Sequence, residues 1–306
     1  MNYASIDIGT NTVLLMIVDI TDRMKEICDT AVITRLGEGI HNTGVLSSEA
    51  INRTLNVLMN YKAIAARYEV KDILCFGTAA LREAKNRDAF LEIARKKLSL
   101  DIKVLSEYEE ALYTYISVYH NISGKKEDAI ILDIGGGSTE IIYGNQENFI
   151  DYISLPVGSV KLTEMFIKND PPENNEIRLL REYIASILIR IPFKKNIHSV
   201  VGTAGTITTL GSITKGLREW SKKEIHGIRL TNKDIDYLLR YLLKKTTRER
   251  SALPGMEKGR EDIVTQGIIL LQDLMKYFGA EELIIDANGV RHGVLCEKMA
   301  LLNART

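Results

Sequence analysis

A tight turn rich in glycine and hydroxyl groups follows an apolar strand at two places in the chain. Ser5–Thr12 reads SIDIGTNT and Ile131–Thr139 reads ILDIGGGST, so strand, aspartate, Ile-Gly and hydroxyl groups recur in the same order. Asp7 and Asp133 lie 126 residues apart, which is about one domain length. The repeat predicts two related lobes, each of which presents a loop at the end of a strand to a common cleft.

Size and composition are consistent with a duplicated globular protein. With 306 residues the chain exceeds the usual length of one domain, roughly 100–200 residues, so two domains are expected. Hydrophobic residues make up 45% and charged residues 26%, which argues against a disordered or fibrous chain. Because 40 basic and 40 acidic residues give a net charge of zero, no overall field attracts nucleic acid or an anionic membrane. Any anionic ligand must therefore be bound locally.

Cysteine usage and the N-terminal segment bear on the compartment. Cys28, Cys75 and Cys296 are far apart and lack a CxxC spacing, which argues against a disulfide framework and a thiolate zinc site. The first residues, MNYASIDIGTN, lack the basic and long apolar regions of a signal peptide, and no later window has 18 uninterrupted apolar residues. We therefore expect a cytoplasmic protein that has neither a membrane nor a nucleic acid as a partner.

Apolar periodicity predicts two similar series of strands and helices. The first has the order βββαβαβα, with strands at 3–8, 13–20, 27–35, 72–76 and 102–105 and helices at 47–68, 87–97 and 107–119. The second has strands at 129–133, 140–143, 149–155, 198–201 and 282–286 and helices at 162–168, 176–191, 207–215, 232–244, 261–277 and 290–302. The predicted lobes are 1–122 and 123–306, with a polar linker at 121–128. The final helix, 290–306, is a candidate to pack back on the first lobe.

The two glycine-rich turns have the chemistry of anion-binding loops. Successive backbone N–H groups in such turns form a concave site for an anion, and neighbouring hydroxyl groups add donors. The alternative is a tight hairpin turn that needs glycine for its backbone conformation. Two matching turns, one in each lobe, favour phosphate binding. Val200–Leu210 and Ile284–Leu295 also place glycines after a strand and before a helix, but no Walker A or GxGxxG motif occurs.

Several motifs together resemble one protein family. DIGTNT, DIGGGSTE, VGTAGT and NGVRHGVL resemble motifs of the superfamily of sugar kinases, heat-shock chaperone ATPases and actin. Within it, TAALREAKN at 78–86, the EEA at 109–111, LPVGSVKLTE at 155–164 and ERSALPGMEKGRED at 249–262 resemble the exopolyphosphatase and guanosine pentaphosphate phosphohydrolase family. The resemblance extends over nearly the whole chain and implies an α/β fold with two ribonuclease H-like lobes around a cleft. No His-Asp dipeptide occurs, so the chain resembles the short, two-lobe form.

The resemblance implies a hydrolase in which water attacks the terminal phosphate of polyphosphate or guanosine pentaphosphate, assisted by Mg²⁺. Glu110 matches the general base, and Glu140 matches a further catalytic carboxylate near the water or metal. Asp133 and Asp7 are the implied metal ligands, and a monovalent cation such as K⁺ is a second candidate cofactor. The residues implied to bind the substrate phosphates are Thr10, Asn11, Thr12, Arg82, Gly135, Gly136, Gly137, Ser138, Thr139, Gly202, Gly205 and Thr206. A homodimer would be unsurprising.

The residues themselves leave alternatives open at several positions. Glu110 on its own favours a solvated acidic helix start, and Arg82 could equally pair with Glu83 or Asp88 on the surface. Asp133 is more informative, because it combines a charge at the end of an apolar strand with three following glycines. A track for a long anion could be formed by four Lys doublets and three Arg residues: Lys125-Lys126, Lys194-Lys195, Lys222-Lys223, Lys244-Lys245, Arg248, Arg250 and Arg260. For most of them, a solvated helix end is the favoured interpretation. A kinase or ATPase of the same superfamily and a non-catalytic phosphate- or nucleotide-binding regulatory module remain the alternative functions.

Two departures from the family pattern affect the predicted phosphate site. The first turn continues with Val13-Leu14-Leu15, where an arginine or histidine is usual, so one phosphate contact is expected to be missing. The third loop has Ala204 where a glycine is common, which would stiffen or narrow that side of the site. Neither departure removes a catalytic carboxylate.

Overall fold

The structure, a computed structural model, describes residues 1–21, 23–121, 128–193 and 197–304. The chain forms two compact units, Met1–Ser123 with Asn288–Thr306, and Gly124–Ala287. The predicted lobe boundary was at residue 122, and most of the predicted linker, 121–128, lies outside the described residues. Within the described part of the chain, no helix is long and apolar enough to cross a bilayer.

The first unit is built on a five-stranded sheet with the strand order β3-β2-β1-β4-β5. Strands β1 to β3 form an antiparallel meander, and β4 and β5 run parallel to β1. The elements are β1 (Asn2–Ile8), β2 (Thr12–Ile20), β3 (Met24–Ile33), α1 (Ile40–Thr43), α2 (Ser48–Arg67), β4 (Asp72–Gly77), α3 (Ala79–Glu83), α4 (Arg87–Leu98), β5 (Ile102–Val104) and α5 (Glu107–Asn121). This topology places the carboxyl ends of β1, β4 and β5 at one edge of the sheet.

The second unit repeats this plan with a six-stranded sheet of order β10-β11-β9-β6-β7-β8. Strands β6, β9 and β11 are parallel, and β6 to β8 form the antiparallel meander. The elements are β6 (Ala129–Ile134), β7 (Thr139–Gly144), β8 (Phe149–Leu155), α6 (Ser159–Phe166), α7 (Asn174–Leu188), β9 (Ser199–Thr203), α8 (Ala204–Lys215), α9 (Lys222–Ile225), β10 (Arg229–Thr231), α10 (Asn232–Leu243), α11 (Thr247–Ser251), α12 (Val264–Phe278) and β11 (Glu282–Ile285). The α/β class predicted from the sequence is confirmed in both units.

The last helix, α13 (Val290–Asn303), packs against α5 and β1 of the first unit. Gly293 allows this close approach, because a methyl group there would overlap the Tyr113 carbonyl. Arg291 at the start of α13 forms a two-contact ion pair with Asp29 of β3, and both side chains are buried. Arg291 therefore has a structural partner within its own unit.

A buried arginine holds the segment between α10 and α12 in the second unit. The Arg250 side chain is 1% exposed and donates to the carbonyl oxygens of Leu242, Lys245 and Glu261 at 2.6–3.2 Å. Burial lowers the pKa of this guanidinium, and the charges of Asp170 and Asp262 oppose that shift. Because its donors are used by main-chain carbonyls, Arg250 stabilises the fold of this segment.

Some short elements were missed by the sequence analysis. Strand β10 has three residues, Arg229–Thr231, and α3 has five, Ala79–Glu83, so neither is long enough to show a period. Strand β3 begins at Met24 rather than at residue 27, because Met24, Lys25 and Glu26 also pair with β2. Of the missed elements, β10 is the edge strand of the second sheet, next to β11.

Helix α8 begins with an unusual backbone conformation. Ala204, its first residue, has a φ of +70°, in the left-handed region that favours glycine. An alanine there is strained by about 1–2 kcal/mol relative to its ordinary conformation. The departure noted at Ala204 therefore adds strain at the end of β9.

We predict that Ala204→Gly raises the free energy of unfolding by about 1 kcal/mol, because relief of strain outweighs the entropy that glycine adds to the unfolded chain. Urea unfolding measures the change. The matched control is Ala185→Gly, at an exposed position within α7, where glycine should lower stability by about 1 kcal/mol. A loss of stability in both variants would contradict the assignment of strain to Ala204.

Candidate functional site

The two glycine-rich turns have the same hydrogen-bonding design. The Gly9 N–H donates to the Thr12 carbonyl at 3.0 Å, and the Gly135 N–H donates to the Ser138 carbonyl at 3.1 Å. The flanking strands pair in the same register, Ile8 with Val13 in one unit and Ile134 with Thr139 in the other. Asp7 and Asp133 therefore occupy equivalent positions, at the carboxyl ends of β1 and β6.

The turn of the first unit carries polar side chains that are almost fully buried. Asn11 is 4% exposed, and neither its amide nitrogen nor its amide oxygen has a hydrogen-bond partner among the described residues. The carbonyls of Thr10 and Asn11 accept hydrogen bonds from the backbone N–H groups of Thr34, Arg35 and Gly37 at 2.9–3.0 Å. Buried amides normally have partners, so the Asn11 side chain is available to a ligand.

The turn of the second unit has the same carbonyl arrangement with fewer side chains. The carbonyls of Gly135 and Gly136 accept from backbone N–H groups at the start of α6. The Thr139 hydroxyl donates to the Val157 carbonyl at 2.7 Å, so this predicted phosphate ligand has a partner that connects β7 to the chain after β8. Ser138 is buried in the turn itself.

Carboxylates lie at the strand ends that flank both turns. Asp133 is directly opposite Glu140 on the neighbouring antiparallel strand, which puts both side chains on one face of the sheet. Glu140 is 1% exposed and accepts a hydrogen bond from the Ser154 hydroxyl at 2.8 Å. Like charges opposite one another destabilise a sheet, so a cation at this pair would stabilise it.

The first unit differs from the second at this position. Leu14 is opposite Asp7, where Glu140 is opposite Asp133 in the second unit. Burial raises the pKa of the neighbouring Cys75 thiol, and the negative charge of Asp7 raises it further. The first unit thus has one carboxylate at the turn, and the second has a pair.

Arg82 and Glu110 form an ion pair in the first unit. Arg82 is on α3, which follows β4, and Glu110 is on α5, which follows β5, so parallel strands bring them to the same edge of the sheet. Their side chains are 17% and 9% exposed, and Arg82 also donates to the Leu105 carbonyl at 3.1 Å. Two residues predicted to act on substrate are therefore in contact, in a largely buried position.

The third predicted loop follows β9 and combines packing with polar groups. A methyl group at Gly202 would lie 2.6 Å from the Leu283 side chain, and Thr206 is buried against Gly267 of α12. The guanidinium of Arg260 covers Gly205 and pairs with Glu257. The sequence offered Arg260 only as one of several surface cations, and nothing local indicated its contact with Gly205.

Of the basic residues considered as a track for a long anion, those that the structure describes lie on different segments of the second unit. Lys125-Lys126 and Lys194-Lys195 lie outside the described residues. Lys222-Lys223 begins α9, and Lys244-Lys245 follows α10. Arg250 is buried, so it is not a surface cation.

The donor chemistry at the turns is compatible with Mg²⁺. Within the described ranges, no group of three or more His, Cys, Asp or Glu side chains is arranged to hold a metal ion. Mg²⁺ commonly binds through one or two carboxylates, several waters and substrate phosphates, so it does not need such a cage. The facing Asp133 and Glu140 carboxylates provide hard oxygen donors of this kind.

Comparison with known proteins gives similarity over almost the whole chain. Residues 16–302 match the model of the Ppx/GppA phosphatase family. The bifunctional 3-dehydroquinate synthase/phosphatase of Fusobacterium nucleatum is 32% identical over 96% of this chain, which spans only 46% of that protein's length. Exopolyphosphatase 2 of Mycobacterium tuberculosis is 29% identical, and the aligned region covers 95% of this chain and 96% of the length of that protein.

Structural similarity leads to the same family. The crystal structure of the Aquifex aeolicus member of the Ppx/GppA family has a TM-score of 0.83 and 32% identity, and covers 99% of both chains. The actin-like, two-lobe α/β fold predicted from the motifs is thereby confirmed. By sequence motifs, family model and fold, this chain belongs to the Ppx/GppA phosphatase family.

Proposed function

We propose that this phosphatase releases terminal orthophosphate from inorganic polyphosphate, from guanosine pentaphosphate, or from both, by magnesium-assisted attack of water. The similarity to exopolyphosphatase 2 of Mycobacterium tuberculosis over 95% of the chain supports polyphosphate as the substrate. Guanosine pentaphosphate is proposed because it also presents a terminal phosphate next to another phosphate.

The observation that carries the proposal is the ion pair of Glu110 with Arg82. A surface pair would contribute little, whereas a mostly buried charge pair is retained at a desolvation cost and needs good geometry. Hydrolysis of a phosphoric anhydride requires a carboxylate to accept a proton from water and a cation to neutralise the transferring phosphoryl group. Glu110 and Arg82 supply these two groups side by side.

The two turns supply the remaining electrostatic stabilisation. Because the backbone N–H groups of a turn are oriented before substrate arrives, little free energy is needed to reorient them when charge develops on the phosphate oxygens. The buried Asn11 amide and the hydroxyl groups of Thr10 and Thr12 add donors in the first unit. Local donors of this kind are needed because the chain has no net charge with which to attract a polyanion.

In the proposed reaction, the oxygen of water forms a bond to the terminal phosphorus, and the bond from that phosphorus to the bridging oxygen breaks. Glu110 accepts a proton from the attacking water. Asp133 and Glu140 would hold Mg²⁺, with Asp7 as a further candidate ligand, and the ion would neutralise charge on phosphate oxygens. The products are orthophosphate and a substrate that is one phosphate shorter.

The proposal is tested by phosphate release from long-chain polyphosphate in Mg²⁺ without any acceptor, alongside guanosine pentaphosphate and ATP. We expect release from polyphosphate, guanosine pentaphosphate or both, and steady-state kinetics then rank the two substrates. Turnover of ATP alone, or release only when a hydroxyl acceptor is added, would instead support an ATPase or a kinase. Binding of phosphate compounds without turnover of any of them would indicate a regulatory module.

Glu110→Gln is expected to lower kcat by roughly 10²–10⁴-fold, because the amide cannot accept the proton of the attacking water. The steady-state rate of phosphate release measures this loss, and circular dichroism checks the fold. The matched control is Glu107→Gln, at an exposed position on the same helix, which should retain activity. Near-wild-type kcat in Glu110→Gln would remove Glu110 from the role of base.

Asp133→Asn is expected to raise the Mg²⁺ concentration needed for half-maximal activity or to abolish activity, because an amide oxygen is a weaker ligand than a carboxylate. A Mg²⁺ titration of the initial rate measures the change. Asp151→Asn, at an exposed position on β8, is the control and should leave the titration curve unchanged. An unchanged Mg²⁺ dependence in Asp133→Asn would count against Asp133 as a ligand.

A further inference from the structure

The first turn of α6 contacts the Gly135–Gly137 turn through its backbone. The Ser159 N–H donates to the Gly135 carbonyl at 3.0 Å, and the N–H groups of Val160 and Lys161 donate to the Gly136 carbonyl at 3.0 and 3.2 Å. The first N–H groups of a helix have no partner within it, and the N-cap residue here, Gly158, has no side chain to accept from them. The glycine-rich turn therefore caps α6.

This capping determines the direction of two peptide groups. A trans peptide is planar, so its N–H points opposite to its C=O. Because the Gly135 and Gly136 carbonyls point towards α6, the N–H groups of Gly136 and Gly137 point away from it. We propose that α6, through Gly158 and Ser159, orients these two N–H groups to bind a phosphate oxyanion. This inference rests on the proposed function of the same turn.

The electrostatics of α6 favour this arrangement. The N-terminal end of a helix carries a partial positive charge, and carbonyl oxygens directed at it are stabilised. Hydrogen bonds in a chain polarise one another, so donation by α6 strengthens the donor capacity of the N–H on the far side of each peptide. The three N–H groups of α6 are thus already used, and the anion is bound through the turn rather than by the helix.

Gly158 is required for space rather than for backbone conformation. Its φ of −153° and ψ of −178° are extended values that any residue adopts. A methyl group at Gly158 would lie 2.6 Å from the Gly135 carbonyl oxygen and 2.6 Å from both the carbonyl carbon and oxygen of Gly136. Real contacts of this kind are not that short, so any side chain there would displace the turn. Gly158 and Ser159 are positioning residues, since they act through the turn.

The equivalent turn of the first unit is held differently. The carbonyls of Thr10 and Asn11 accept from Gly37, Thr34 and Arg35, which lie in the connection between β3 and α1. Gly37 also lies close to the Gly9–Thr12 turn, and a methyl group at Gly37 would overlap the Thr10 side chain. In both units, backbone N–H groups from the chain after the third strand donate to the turn carbonyls and fix their direction. Only in the second unit do these N–H groups belong to a helix of eight residues, α6.

Ser159→Pro tests the inference, because proline removes one N–H at the helix position that tolerates it best. The ring also displaces the Gly135 carbonyl. We expect kcat/KM to fall about 10- to 100-fold, which is less than the roughly 10²–10³-fold effect of removing an oxyanion donor, because the Gly136 N–H is displaced and not removed. Ser159→Ala removes only the hydroxyl, which donates to Gly135 at 3.3 Å, and separates its effect from that of the N–H. Asn174→Pro, at the exposed first position of α7, is the proline control and should retain wild-type kinetics.

A second measurement does not depend on turnover. Inorganic phosphate should shift the amide resonances of Gly136 and Gly137 in the NMR spectrum of the wild type, and the shifts should be several-fold smaller in Ser159→Pro at equal phosphate. A merely structural role of Ser159 would lower the melting temperature without changing kcat/KM or these shifts measured well below it. If Ser159→Pro does not fold, Gly158→Ala, which keeps every N–H of α6, should show the same two losses.

The inference is overturned if folded Ser159→Pro or Gly158→Ala keeps both kcat/KM and the phosphate-induced shifts within twofold of wild type. It is also overturned if phosphate leaves both glycine amides of the wild type unmoved. Absence of hydrolysis of every phosphoric anhydride by the wild type would remove the proposed function instead. In that case the phosphate titration of Gly136 and Gly137 still decides whether α6 orients their N–H groups.

Discussion

The direction of a few peptide groups is the constraint on which the candidate site depends. In both units a glycine N–H closes a tight turn by donating to a carbonyl three residues later, at 3.0 Å from Gly9 and 3.1 Å from Gly135. The other carbonyls of each turn accept hydrogen bonds from backbone N–H groups of the chain that follows the third strand, which fixes their direction. Because each peptide is planar, holding the carbonyls fixes the opposite N–H groups before any ligand arrives. Such preorganisation is what electrostatic stabilisation of a phosphoryl group requires.

The two units share this scaffold but differ in the side chains placed on it. The first has Leu14 opposite Asp7 and supplies the Glu110–Arg82 ion pair from the ends of two further parallel strands. The second has the facing carboxylates of Asp133 and Glu140. The first unit thus has a carboxylate beside a cation, and the second has a pair of hard oxygen donors. The duplication accounts for two turns of one design, and the different side chains around them account for their unequal chemistry.

Features that depend on local sequence could be predicted, and features that depend on tertiary contacts could not. The turns at Gly9 and Gly135 and the long strands are evident from glycine, aspartate and apolar periodicity. Strand β10 has three residues and gives no period, so only its pairing with β11 defines it. Arg291 lies within the glycine-containing segment 284–295, and its partner, Asp29, is 262 residues away, so nothing in the local sequence indicated this pair. The need for glycine at position 158 is likewise invisible in sequence, because it arises from contact with a turn more than 20 residues earlier.

The central claim is that the second glycine-rich turn binds phosphate through its backbone N–H groups. The most direct measurement is a crystal structure of the protein with a phosphate analogue such as orthovanadate or a short non-hydrolysable polyphosphate. We predict that oxygens of the bound anion accept hydrogen bonds, at about 2.7–3.2 Å, from the N–H groups of Gly136 and Gly137. An ordered anion bound elsewhere, with these two N–H groups directed at protein atoms, would contradict the claim.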